Sequence, residues 1–100
     1  MKEIKEISEF IEETLEEAEK YSDYAIKYGD LNKNLADMYH RLSEEHLKFV
    51  DTLHDQGVKL IEEYAAKSPI PSDMKAVYEY LHKKHIDKFN EIKTKQTNYK

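Results

Sequence analysis

Apolar residues recur every three or four positions along most of this chain, which is the spacing of one face of an α-helix. The clearest run lies between Asp30 and Lys67, where acidic and basic residues occupy the remaining positions. The spacing predicts a helix over 31–67, which at 1.5 Å per residue would be roughly 55 Å long. The predicted buried stripe of this helix is Leu31, Leu35, Met38, Tyr39, Leu42, His46, Phe49, Leu53, Leu60 and Tyr64.

A first helix is predicted over 2–28. Gly29 can end it in the left-handed conformation, and Asp30 or Asn34 can cap the helix that follows. Because the link is so short, the two helices are expected to form a hairpin. The predicted buried stripe of the first helix is Ile4, Ile7, Ile11, Leu15, Ala18, Tyr21 and Ala25.

A third helix is predicted over 72–97. Pro69 and Pro71 end the long helix, because proline lacks an N–H and disfavours helical backbone in the residue before it. Ser72 or Asp73 can cap the new helix, and the last six residues are expected to fray. The residues predicted to face inward are Met74, Val77, Tyr78, Leu81, His85, Phe89 and Ile92.

These elements predict an all-α fold, an antiparallel three-helix bundle with a long central helix, as a single domain over 1–100. Its modest core is expected to centre on Leu42, Phe49 and Leu53. The central helix would extend past its neighbours by roughly 10–15 Å, and an uncovered apolar surface indicates contact with another molecule. The residues predicted to form that interface, in a homodimer or larger homo-oligomer, are Gly57, Leu60, Ile61 and Tyr64.

Charge is distributed unevenly along the chain, whose formal net charge is −5. Residues 1–29 hold nine acids and four bases, whereas residues 68–100 hold four acids and seven bases. The first and last helices are therefore expected to attract each other. The acidic balance makes nucleic acid an unlikely partner, since binding it requires a basic surface. Without cysteine or a membrane-length apolar stretch, the chain is expected to be cytoplasmic, with no membrane partner.

Carboxylates and histidines at helical spacing are the only candidates for metal chemistry, because the chain has no glycine-rich phosphate loop and no cysteine. Glu79 and His82 form a Glu-x-x-His motif, in which both side chains share one helix face. Two further pairs have this spacing with aspartate, although chance matches are expected among 21 acids and five histidines: Asp37 with His40, and Asp51 with His54.

His46 and His85 lie on the apolar stripes of the second and third helices. The simpler interpretation makes them core-edge imidazoles with hydrogen-bonded partners. If instead they face each other, they would form a buried pH-sensitive contact.

The run from Leu35 to His54, with its Glu-Glu-x-x-His-like centre, resembles the second helix of ferritin-like proteins such as rubrerythrins and encapsulated ferritins. Leu15 to Tyr21 is similar to their first helix. Met74 to His85 resembles the closing helix of short ferritin-like proteins from phages and prophages of Gram-positive bacteria. The resemblance implies a carboxylate-bridged metal site and assembly into dimers or larger forms.

The metal site that this resemblance implies is incomplete. Lys48 stands where the second helix should carry a histidine, and Thr14 stands where the first should carry a glutamate. Glu17 can substitute for that glutamate. A di-metal centre needs about four carboxylates and two imidazoles. The ligands that remain are Glu17, Glu45, Glu79 and His82.

The function predicted is therefore that of a non-catalytic, ferritin-like interaction or assembly module of phage or prophage type. It would have no cofactor and a degenerate metal site, and it would lie in the cytoplasm of a bacterial or phage-infected cell. One alternative is a di-iron-type protein that binds iron or another divalent metal at a site completed across a dimer. Another is an acidic inhibitor that occupies a partner's basic surface through the glutamates of the first helix.

Overall fold

The computed structural model describes residues 2–99, which form three α-helices and no strand. These helices are α1 (Lys2–Tyr28), α2 (Lys33–Lys67) and α3 (Ser72–Asn98). The prediction of an all-helical chain with three helices is confirmed. The α2 helix has 35 residues, against 27 in each neighbour, and the molecule measures 55 × 17 × 17 Å. The domain predicted over 1–100 includes Met1 and Lys100, which lie outside the described residues.

The helices α1 and α2 pack together over most of their length, and α3 lies against this pair with fewer close approaches. A Cβ atom built on Gly57 of α2 would lie 3.5 Å from Ile7 of α1. Farther along α1, Ala18 accepts a hydrogen bond from Ser43. These two contacts place Gly57 beside the first turns of α1 and Ser43 beside Ala18.

The turn between α1 and α2 differs from the prediction. Asn32 caps α2, and its side-chain oxygen accepts a hydrogen bond of 3.1 Å from the Leu35 amide. Neither Asp30 nor Asn34 is the cap residue. Gly29 does not adopt the left-handed conformation, because the turn closes instead through ordinary helical-end hydrogen bonds from Gly29 and the residues after it.

The start of α3 also has a different cap. Pro71 occupies the cap position, and no side chain there makes a capping hydrogen bond. Ser72 is already the first helical residue, and the Asp73 carboxylate accepts a hydrogen bond of 3.0 Å from the Met74 amide.

The core is centred on the α1–α2 contact. The predicted centre of Leu42, Phe49 and Leu53 is wrong, because 58% of Phe49 is exposed and Leu42 and Leu53 are only half-buried. The helix α2 turns its small residues toward α1, and this rotation allows the two backbones to approach closely while Phe49 lies at the edge. The buried residues of α2 are Ala36, Ser43, Leu47, Val50 and Gly57, and the central cluster consists of Ile11, Leu15, Ala18, Leu47, Val50 and Ile92.

Part of the interface predicted on α2 already contacts α1 within the chain. The first turns of α1 cover Gly57, and Ile61 lines a cavity together with Ile4 and Ile7 of α1. Leu60 and Tyr64 are half-buried. The close packing at Gly57 therefore occurs inside the chain, and self-association through Gly57, Leu60, Ile61 and Tyr64 stays a prediction.

The last turns of α3 are anchored by buried polar groups. Gln96 donates a hydrogen bond of 2.8 Å to Ser43 Oγ, which in turn donates one of 2.6 Å to the Ala18 carbonyl. The Tyr99 hydroxyl donates a hydrogen bond of 2.6 Å to Asp37. The predicted fraying is wrong up to Tyr99, because these bonds hold the end of the helix.

Candidate functional site

Six aromatic rings form a continuous cluster on one side of the α1–α2 pair. The ring centroids of Tyr24 and Tyr39 are 5.3 Å apart, those of Tyr21 and His46 are 5.1 Å apart, and those of His46 and Phe49 are 5.7 Å apart. We call this cluster the aromatic face, and it consists of Tyr21, Tyr24, Tyr28, Tyr39, His46 and Phe49.

The aromatic face lies on the side of the pair away from α3. On α1, the residues that bind α3 are Glu12, Glu19 and Asp23, which helical spacing places on a different side from Tyr21. Phe10 falls on the same side as Tyr21, three turns earlier, and 53% of it is exposed. One side of the hairpin is thus covered by α3, while the other presents aromatic groups.

His46 belongs to the aromatic face. Its Nδ1 lies 2.8 Å from the Leu42 carbonyl oxygen, so this nitrogen carries the proton that it donates. The ring of His46 meets Tyr21 edge-on, with 67° between the ring planes. His85 is buried on α3, the helix on the other side of the pair. The alternative in which His46 and His85 face each other is therefore wrong.

Ion pairs join α1 to α3, as the charge distribution predicted. Lys84 lies 2.9 Å from Glu12, and Lys88 lies 2.7 Å from Glu19. Lys95 reaches both Glu19, at 3.3 Å, and Asp23, at 3.1 Å. The hydrogen bond from Lys88 holds the pKa of Glu19 below its ordinary value, with help from Lys95 and against the effect of burial. Three acids of α1 are thus engaged within the chain.

A pair of histidines joins α2 to α3 at the other end of the molecule. His54 Nε2 lies 3.0 Å from His82 Nε2, and the ring centroids are 4.8 Å apart with 27° between the planes. Both rings line two cavities, one of about 300 Å³ and one of about 230 Å³. His85 lines the same cavities, and its buried Nε2 has no hydrogen-bond partner. Burial lowers the pKa of His85, while the charge of Glu12 opposes that shift.

The structure separates the four predicted metal ligands. Glu79 and His82 line the larger cavity. Glu17 lies one turn before Tyr21 on the aromatic side of α1, where it pairs with Lys20 at 3.6 Å. Glu45 is exposed on α2. Among residues 2–99, no group of three or more histidines and carboxylates is arranged to hold a metal ion.

The contact between His54 and His82 was not predicted. Its signal was present, since each histidine follows a carboxylate by three residues, at Asp51 and Glu79. Nothing in the local sequence indicates that these two motifs meet, because that depends on how α3 is placed along α2.

No family model, no curated protein and no solved structure matches this chain. The resemblance to ferritin-like proteins therefore stays a prediction. Within residues 2–99, no helix is long and apolar enough to cross a membrane.

Proposed function

We propose that this protein is a non-catalytic helical assembly module that self-associates through its aromatic face. In this proposal the three helices form an antiparallel, ferritin-like bundle, and two copies associate as an isologous dimer. The aromatic face carries the proposal, because it is the uncovered side of the best-packed helix pair. The resemblance to short ferritin-like proteins of phages and prophages supports the same function, in the cytoplasm and without a cofactor.

The composition of the aromatic face is that of a contact surface. Tyrosine brings a large apolar ring with a polar tip, which suits a surface that is wet in one state and buried in another. Aromatic residues are enriched at protein interfaces, whereas charged residues are depleted at their centres. The lysines of α3 bind acids on the opposite side of α1. The charged groups beside the aromatic face are Lys27, which lies over the rings of Tyr24 and Tyr28, and the Glu17–Lys20 pair.

A second copy of the α1–α2 pair is the occupant that fits this face. The face covers roughly 10 Å of α1, from Tyr21 to Tyr28, and roughly 15 Å of α2, from Tyr39 to Phe49, at 1.5 Å per residue. The exposed Phe10 lies on the same side of α1, farther from the turn. Its ring contacts join α1 to α2, so the face is an elongated surface made by two neighbouring helices. Two such pairs packed face to face would enclose a four-helix core. A two-fold axis places the same residues on both sides of the contact.

The test compares two variants with equally exposed apolar residues. Phe49→Glu puts a charge in the aromatic face, where 58% of the side chain is exposed. Val77→Glu puts one on α3, where 54% of the side chain is exposed. Light scattering after size exclusion should give a dimer for the parent and for Val77→Glu, and a monomer for Phe49→Glu. Circular dichroism should show all three folded, because neither position is part of the core.

Two results would contradict the proposal. A parent that remains monomeric at high micromolar concentration has no such interface. A dimer that persists in Phe49→Glu but is lost in Ile61→Glu would show that the interface lies on the part of α2 that the sequence alone predicted.

A further inference from the structure

The contact between His54 and His82 has the spacing of two ligands on one metal ion. Zinc binds imidazole nitrogen at about 2.0–2.1 Å, so two nitrogens on one zinc at angles of about 90–110° are roughly 2.9–3.4 Å apart. The two Nε2 atoms are 3.0 Å apart, whereas the ring centroids are 4.8 Å apart. The nitrogens are therefore the facing edges of the two rings.

Without a metal, this contact needs a proton between the two rings. One Nε2 must donate and the other must accept, since two lone pairs at this distance would repel each other. The Asp55 carboxylate lies 4.0 Å from His54 Nδ1, which is too long for a hydrogen bond, so either ring can be the donor.

We propose that His54 and His82 form a binding site for a divalent transition metal, such as Zn²⁺, that bridges α2 and α3. On binding, the ring that holds the Nε2 proton moves it to its Nδ1, and both Nε2 lone pairs bind the ion. Both imidazoles stay neutral, so no oxidant or further reactant is needed. Water fills the remaining positions on the ion.

The surroundings of the pair supply further donors. His85 lines both cavities beside the pair, and its buried Nε2 has no hydrogen-bond partner. Asp51 lines the smaller cavity and Glu79 the larger one. No three of these groups converge in the present arrangement. The two imidazoles are the ligands, and these three groups line the cavities beside them.

This site shares His82 with the ligand set that the ferritin resemblance implies, but its second ligand is His54 and it uses neither Glu17 nor Glu45. It also lies on α2 and α3, away from the aromatic face. The result of a zinc-binding experiment is therefore independent of whether the protein self-associates.

The experiment is a calorimetric titration of the untagged, full-length protein with zinc chloride. The parent should bind one zinc ion per chain, and both His54→Gln and His82→Gln should lose this binding. The thermal midpoint of the parent should rise with zinc, since a ligand bound only by the folded state stabilises it. Hydrogen exchange in 72–82 should slow when zinc is added, because the ion joins this part of α3 to α2.

Two matched controls separate this site from other zinc binding. His46→Gln removes an imidazole from the aromatic face and should leave zinc binding unchanged. The double variant Glu17→Gln with Glu45→Gln removes the ferritin-like carboxylates and should also bind zinc as the parent does. Circular dichroism establishes that each variant is folded.

The proposal is overturned if the parent shows no saturable binding up to high micromolar zinc. It is also overturned if folded His54→Gln and His82→Gln bind zinc as the parent does, or if His46→Gln loses binding to the same extent.

Discussion

The two halves of α3 are held to the α1–α2 pair in different ways. In the second half, Ile92 is fully buried, Gln96 is hydrogen-bonded to Ser43, and Lys88 and Lys95 bind acids of α1. In the first half no residue before His85 is buried, and Lys84, at the end of this half, binds Glu12 of α1. A cavity of about 300 Å³ lies beneath this first half. His82 gives the first half of α3 a polar contact with α2.

This difference shows that polar groups do much of the positioning of α3. Its helix has a weaker apolar stripe than its neighbours, and Val77, predicted to face inward, is 54% exposed. Ion pairs and one buried hydrogen bond, rather than a broad apolar contact, hold the second half against the α1–α2 pair. The first half has few buried groups, so it should open locally at a lower free energy than the second.

Of the changes that test this comparison, truncation of Ile92 should lower the free energy of unfolding the most. Ile92→Ala removes the fully buried apolar side chain of α3, and such a change lowers the free energy of unfolding by about 2–5 kcal/mol. Leu81→Ala, at a half-buried position of the first half, should cost clearly less. Urea denaturation followed by circular dichroism measures both. Equal losses would mean that the two halves are held alike.

Removal of the Ser43 hydroxyl should have an intermediate effect. Ser43→Ala leaves the Gln96 amide nitrogen buried without its acceptor, which should cost about 1–3 kcal/mol. The double variant Ser43→Ala with Gln96→Leu removes both partners and should recover part of the loss. A double-mutant cycle gives the coupling energy. Additive effects would show that the Gln96–Ser43 hydrogen bond does not stabilise the second half.

Neutralisation of Glu19 should have the smallest effect, and that effect should depend on pH. Glu19→Gln should lower the free energy of unfolding at neutral pH by about 1 kcal/mol or less. The pKa of Glu19 is lowered from its ordinary value of 4.5, so its contribution is present above 4.5 and is lost as pH falls through the lower, folded-state pKa. The difference between the parent and Glu19→Gln should therefore disappear in acid.

The control for this last variant is Asp87→Asn. The pair of Lys83 and Asp87 is exposed and lies within α3, so its loss should change stability by no more than about 0.3–0.5 kcal/mol at neutral pH. If both variants cost the same, the ion pairs of α1 with α3 add nothing beyond those of an isolated surface pair.

Local sequence determined the helices of this protein. Apolar spacing places all three, and Pro69 and Pro71 follow the end of α2, because helix formation depends on neighbours within one or two turns. The attraction between the acidic first helix and the basic third one was also predictable, since opposite net charges need no particular register to attract.

The tertiary structure decided which side of each helix is buried and which groups meet. Phe49 fits the apolar stripe of α2, yet Ser43 and Gly57 occupy the contact with α1, because small side chains allow the backbones to approach. The contact between His54 and His82 depends on where α3 lies along α2. The spacing of residues within either helix carries no information about that placement. A pattern along one helix predicts a face, but only the packing of several helices fixes what that face touches.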